Sequence, residues 1–270
     1  MGGEVGPGPR GLMSVAASRS VARCHPLGYL VFNREAIIRA AFRAYVEVTL
    51  AYLDPRQCHP IPPDCGQTWT GDLQRGALAG DMTVAWNEAG VVGIVFESRW
   101  RSSASLESLP EGPVATNPDD VRSVVPDLPD ELLPALEMAC GLIDQRHHIE
   151  TARVGFWLCG DRMGGTLFDT PIDEVWWWRL AKWGRIGRGR LLPAYSGHTE
   201  KITEDTFRAY APFLAVVDAV VDRRLRGPTE LLPDELATLF PVPIDMDVLV
   251  IGQRELRKVG ITWPGSSEMT

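Results

Sequence analysis

The run VVGIVFES, Val91 to Ser98, carries apolar side chains on both of the faces a strand would present. Such a strand belongs in the interior of a sheet, because a solvated face would leave half of it in water. Immediately before it, MTVAWNE alternates Met82, Val84 and Trp86 with smaller side chains, and Glu88-Ala89-Gly90 separates the two runs. The pair reads as an antiparallel hairpin. A second hairpin is expected from ARVGFWLC and GGTLFDT, turning at GDRM.

Helices are expected around these hairpins. From Arg34 to Leu53, Ile38, Phe42, Tyr45 and Tyr52 recur at helical spacing with Ile37, Ala41, Ala44 and Val48 beside them. Glu35, Arg39, Arg43 and Glu47 fall at i, i+4 steps on the other side, which predicts an amphipathic core helix stopped by Asp54-Pro55. A second helix is expected over Pro129–Arg146, with Leu132, Leu136, Ala139 and Ile143 on one stripe and its regular part starting near Pro134. A third is expected over Pro171–Trp183, capped by Thr170, followed by a short strand at RLLPAY. A long helical region over Thr203–Arg226, broken at Pro212, ends at Gly227-Pro228. Short helices follow at LPDELATLF and over Asp247–Lys258. The order helix, hairpin, helix, hairpin, then several helices predicts an α+β fold. Its antiparallel sheet is built from two hairpins, with helices packed against it and a helical C-terminal part.

At 270 residues, 45% hydrophobic and 23% charged, the chain has the composition of a globular protein. It is long enough to bury about 70–75% of its unfolded surface without a disulfide or metal. Residues 1–13 are expected as a disordered lead, and 14–270 as a single globular domain. That domain is interrupted at 101–130 by a linker rich in Pro and Ser, with prolines at 110, 113, 118, 126 and 129. On its own that segment buries too little surface to order itself.

The formal net charge of -8 opposes binding to a phosphate backbone, so a nucleic-acid partner is not expected. No apolar run approaches the roughly 18–20 residues of a membrane span. Five cysteines with no secretory leader suit a reducing, cytoplasmic setting. Lys182, Lys201 and Lys258 are the only lysines among the basic residues, a skew toward arginine that matches a GC-rich bacterial genome and carries no physical weight.

The common catalytic signatures are absent. The sequence holds no G-x-x-x-x-G-K-[ST], no H-E-x-x-H, no C-x-x-C and no G-x-S-x-G. GRIGRGR places glycines at 184, 187 and 189, which is not the dinucleotide spacing. Cys24, His25, Cys58, His59 and Cys65 could supply soft ligands, but Cys58 and Cys65 stand seven positions apart, outside usual zinc spacing. Buried thiols and surface histidines are the simpler reading, and no metal or cofactor is expected. His147, His148 and Glu150 end a helix, where a histidine interacts favourably with the helix dipole. Ser196 and His198 are close in sequence, which does not place a base against a nucleophile. The acid pairs Asp119-Asp120, Glu204-Asp205 and Asp245/Asp247 all have capping or solvation explanations. No catalytic residue is nominated.

One stretch remains, DEVWWWRLAKWGRIGRGR, Asp173 to Arg190. At about 100° per residue, Ile172, Trp176, Leu180 and Trp183 share a core-facing arc, while Trp178 lies nearly opposite. Either the helix is buried nearly all round, or Trp178 is exposed beside Arg179, Lys182, Arg185, Arg188 and Arg190. Burial is the default for tryptophan. Exposure would make a Trp/Arg contact surface of the kind that dominates binding energetics. The function expected is therefore non-enzymatic protein binding: an immunity protein that neutralises a toxin, with those six residues meeting an acidic toxin domain. The alternatives are a hydrolase with a scattered site using His147, His148 or His198, and a regulatory domain that binds a small molecule between the hairpin layers.

Overall fold

The computed structural model describes residues 33–54, 67–80, 82–98, 115–144, 150–169 and 204–264. The first element, α1 (Arg34–Tyr52), starts where the Asn33 side chain accepts the Ala36 N–H at 2.7 Å. That bond satisfies one of the orphan donors of the first turn.

Six strands follow in a single antiparallel sheet whose spatial order is the chain order. They are β1 (Thr68–Gly71), β2 (Gly76–Ala79), β3 (Met82–Trp86), β4 (Gly90–Ser98), β5 (Glu150–Cys159) and β6 (Arg162–Gly164). The two expected hairpins are β3–β4 and β5–β6, and they meet along the long β4–β5 ladder. This makes β4 an interior strand, as its two apolar faces require. A third hairpin, β1–β2, has no counterpart in the sequence reading. The second hairpin turns at Gly160-Asp161 alone, so β6 (Arg162–Gly164) takes in half of the expected GDRM turn and only the first residue of GGTLFDT: Gly165 at φ 111° leaves the extended region, and Thr166–Asp169 forms a single 3-10 turn.

Both faces of the sheet are covered. On one, Leu78, Met82, Val84, Trp86, Val91, Val95, Val154, Phe156 and Leu158 pack with α1. On the other, Ala77, Ala79, Ala85, Val92, Ile94 and Trp157 pack with α3 (Leu133–Asp144), through Leu136, Ala139 and Ile143. The alternation of Met82, Val84 and Trp86 therefore puts these three on the α1 side, as the period of two demands.

Residues 115–130, the second half of the Pro/Ser-rich segment, are part of the second layer. A one-turn helix α2 (Pro118–Val121) is capped by Asn117, and Val121, Val124 and Val125 are buried against α3 and the sheet. β5 and the 3-10 turn after β6 hold the segment in place. The Thr166 hydroxyl donates to the Val124 carbonyl at 2.9 Å, and the Trp157 indole donates to the Pro126 carbonyl at 2.9 Å. The segment is ordered by packing against the sheet and α3, which its composition could not reveal.

The C-terminal unit contains α4 (Glu204–Arg226), β7 (Thr229–Glu230), α5 (Pro233–Leu239), α6 (Met246–Lys258) and β8 (Ile261–Thr262), with β7 and β8 paired in parallel. The expected break at Pro212 does not occur, and α4 runs through it. A proline inside a helix costs about 3 kcal/mol. Burial of Phe213, Leu214, Val217, Val220 and Val221 in the α1 core offsets that cost.

Helix α4 and α6 cover the side of α1 that faces away from the sheet. As a result 15 of the 19 residues of α1 are buried, and it is a central helix, not an amphipathic one. Of its charged side, Arg43 and Glu47 are inside, while Glu35 and Arg39 remain exposed.

Candidate functional site

The polar ridge of α1 is the most unusual side-chain arrangement in the described residues. Arg39, Arg43 and Glu47 lie one helical turn apart and face Asp218 and Asp222 of α4, themselves one turn apart. At the rim Arg39 pairs with Asp222, both half-exposed. Further in, Arg43 Nε donates to Asp218 Oδ1 at 2.6 Å and Nη1 donates to Glu47 Oε2 at 2.5 Å. The remaining Arg43 nitrogen, Nη2, is buried without a hydrogen-bond partner among the described residues. The Glu47 side chain is 3% exposed, against 42% for Asp218. Burial pushes the Glu47 carboxyl up to about 8; Arg43 opposes this and Asp218 adds to it.

The adjoining side of α1 meets α6. The Tyr45 hydroxyl donates to Glu255 Oε2 at 2.8 Å, and Lys258 Nζ donates to the same oxygen at 2.6 Å. Burial first, and the Glu255 charge second, hold the Tyr45 hydroxyl far above its ordinary range. Burial alone would raise the Glu255 carboxyl, but hydrogen bonds from Lys258 and Tyr45 bring it below the usual carboxylate range. Beneath Tyr45 an aromatic cluster fills the layer. The Trp69 ring centroid lies 5.1 Å from Trp86, 5.5 Å from Tyr45 and 5.7 Å from Phe42.

A carboxyl with a raised pKa is a candidate general acid when a substrate can touch it. Glu47 and Tyr45 are sealed between helices, so here they act on packing and not on a reacting atom. Cys140 is likewise inert: burial, with a smaller contribution from Glu137, pushes its thiol up to about 12. Among the described residues no group of three His, Cys, Asp or Glu side chains could hold a metal ion. Nor is any described helix long and apolar enough to cross a membrane.

The large apolar side chains that are exposed tell a different story. Among the described residues these are Leu232, Val242, Met246 and Val250, 49%, 42%, 66% and 52% exposed: Leu232 at the N-cap of α5, Val242 in the loop between α5 and α6, and the other two on α6. Met246 and Val250 stand one turn apart and share a face of α6.

The sequence-predicted contact residues Trp178, Arg179, Lys182, Arg185, Arg188 and Arg190 lie outside the described residues. So do Cys24, His25, Cys58, His59 and Cys65, the histidines 147, 148 and 198, Ser196, and the helix and strand expected between Pro171 and Tyr195. Of the acid pairs, Asp245 caps α6 by accepting from the N–H groups of Asp247 and Val248, as expected. Asp119 and Asp120 sit in the first turn of α2, where Asn117 donates to Asp120 at 2.9 Å.

Sequence reasoning missed the buried Arg43–Glu47–Asp218 cluster. One signal was present: α1 carries apolar residues at too many angles to leave a free polar face. The pairing with Asp218 is tertiary. Comparison of this chain with known protein families, with curated proteins and with solved structures finds no match.

Proposed function

We propose that this chain is a non-enzymatic protein-binding protein, an immunity protein that neutralises a toxin by covering it. The observation that carries this reading is the exposure of Met246 and Val250 on one face of α6. Apolar side chains gathered on one face of a charged surface mark contact sites, whereas those scattered singly do not. The acidic neighbours Asp234, Asp245 and Asp247 supply the polar surroundings that a rim requires. The Trp178, Arg179, Lys182, Arg185, Arg188 and Arg190 stretch is the second proposed contact, selecting an acidic domain of the toxin by charge and by aromatic burial.

Co-expression with the product of the adjacent reading frame tests this directly. The wild type should co-purify with that protein and restore growth. Double substitution Met246→Asp/Val250→Asp should weaken binding by about tenfold or more, since losing 1.4 kcal/mol of contact is already a factor of ten. Trp178→Ala should weaken it independently. A wild-type chain that neither binds nor protects would overturn the reading.

A further inference from the structure

We propose that the cluster Glu47–Arg43–Asp218 makes the docking of α4 onto α1 depend on a proton, so that the C-terminal unit is held most firmly in acid and progressively less firmly as the pH rises through neutral to mildly alkaline values. Two carboxylates share one guanidinium here: Nε serves Asp218 and Nη1 serves Glu47. With both acids ionised the cluster carries one uncompensated negative charge. Asp218 keeps contact with water, but Glu47 has almost none.

Among the described residues, no neighbouring element offers Glu47 a second cation. On α4, Arg223 is committed to Glu235 and Arg224 to the Val259 carbonyl. Arg39, at the rim of α1, is committed to Asp222. On α6, Lys258 and Arg254 both serve Glu255 on the Tyr45 side. The sheet side chains that pack in the α1 layer, from Trp69 of β1 to Leu158 of β5, are all uncharged. A buried charge without full compensation is removed most cheaply by taking up a proton. Glu47 is the group to take it, because burial already pushes its carboxyl up to about 8.

The sign follows from linkage. Glu47 titrates higher in the folded chain than in the unfolded one, so the folded state holds an extra proton between the ordinary carboxylate value of 4.5 and about 8. Stability from this group is complete below that window and is lost as pH rises through it, by up to about tenfold in the folding constant per pH unit. The acids with lowered values, Glu255, Glu235 and Asp72, act below the window and with the opposite sign.

Denaturant unfolding of the full chain from about pH 5 to about pH 9 reads this slope. The five histidines of the chain titrate in the same range, so the comparison is between wild type and Glu47→Gln, which share them. Glu47→Gln should flatten the profile by as much as one proton. Asp218→Asn leaves Arg43 to Glu47 alone and should move the end of the slope to lower pH. It alters a half-exposed side chain, so it keeps the proposal testable if Glu47→Gln fails to fold. Infrared spectra at neutral pH should show a protonated carboxyl band in the wild type that Glu47→Gln removes. Superimposable wild-type and Glu47→Gln profiles would overturn the proposal, as would an unshifted Asp218→Asn profile.

Discussion

Gly93 lies opposite Phe156 in the β4–β5 ladder, and a Cβ there would come within 2.1 Å of the Phe156 ring. One residue along the partner strand, Gly155 leaves room on the other face, where a Cβ would fall 2.5 Å from Val125. Each glycine lets a bulky neighbour lie flat on the backbone, one for each layer of the molecule. The Phe156 ring is fully buried and has nowhere to retreat. Gly93→Val should therefore destabilise by about 1–3 kcal/mol through overpacking, despite the gain in strand propensity. Urea denaturation is the measurement, and an unchanged midpoint would mean that the ring can move. These roles were not legible in the sequence, because a glycine inside an apolar run does not say which side chain crosses it. The tryptophans were partly legible. Trp86 was assigned to a strand face by alternation, but its contact with Trp69 depends on the unpredicted β1.

Among the elements, α5 has an anchor of its own. Arg223 of α4 grips Glu235 with two bonds, 2.5 and 2.7 Å, while the same carboxylate accepts the Leu232 N–H at 2.9 Å. Burial acts to raise the Glu235 carboxyl, yet the bonds from Arg223 and Leu232 hold it below its ordinary range. A carboxyl lowered by folding contributes stability above its unfolded value and loses it as pH falls through the folded one. Glu235→Ala should cost about 1.5–3 kcal/mol at neutral pH, the range for hydrogen bonds to a charged group. That difference should vanish in strong acid. A pH-independent difference would assign the loss to packing instead. The helix start was readable from Leu-Pro-Asp-Glu, a proline followed by acids, but the grip of Arg223 was not. Strands β1 and β2 went unread for a related reason. TWTG and GALA are four residues each and carry too little alternation to be distinguished from a loop.

The molecule as a whole is organised around α1, which touches the sheet on one side and α4 and α6 on the other. Helix α6 approaches so closely that a Cβ on Gly252 would lie 2.3 Å from Leu53. Removing everything from Glu204 onward would expose one side of α1 and strip Arg43 of Asp218. Such a truncated chain should lose cooperative unfolding and bind a hydrophobic dye, with secondary structure retained in far-UV circular dichroism. Cooperative unfolding of the fragment would instead show that α1 and the sheet suffice. For function, the exposed apolar face of Met246 and Val250 on α6 is invisible in the sequence, since exposure is decided by what packs nearby. The Trp/Arg stretch, read from helical angles, lies outside the described residues.

The sequence by itself determined what is written within a few residues of chain. It set the start and end of α1, the β3–β4 hairpin, the interior place of β4, the Asp245 cap and the antiparallel α+β class. Only the tertiary structure decided which surfaces are covered. It buried Arg43 and Glu47, carried α4 through Pro212, and packed residues 115–130 under the sheet. Periodicity and caps report a segment's preference for its own conformation, whereas burial depends on the segments that fold against it from far along the chain.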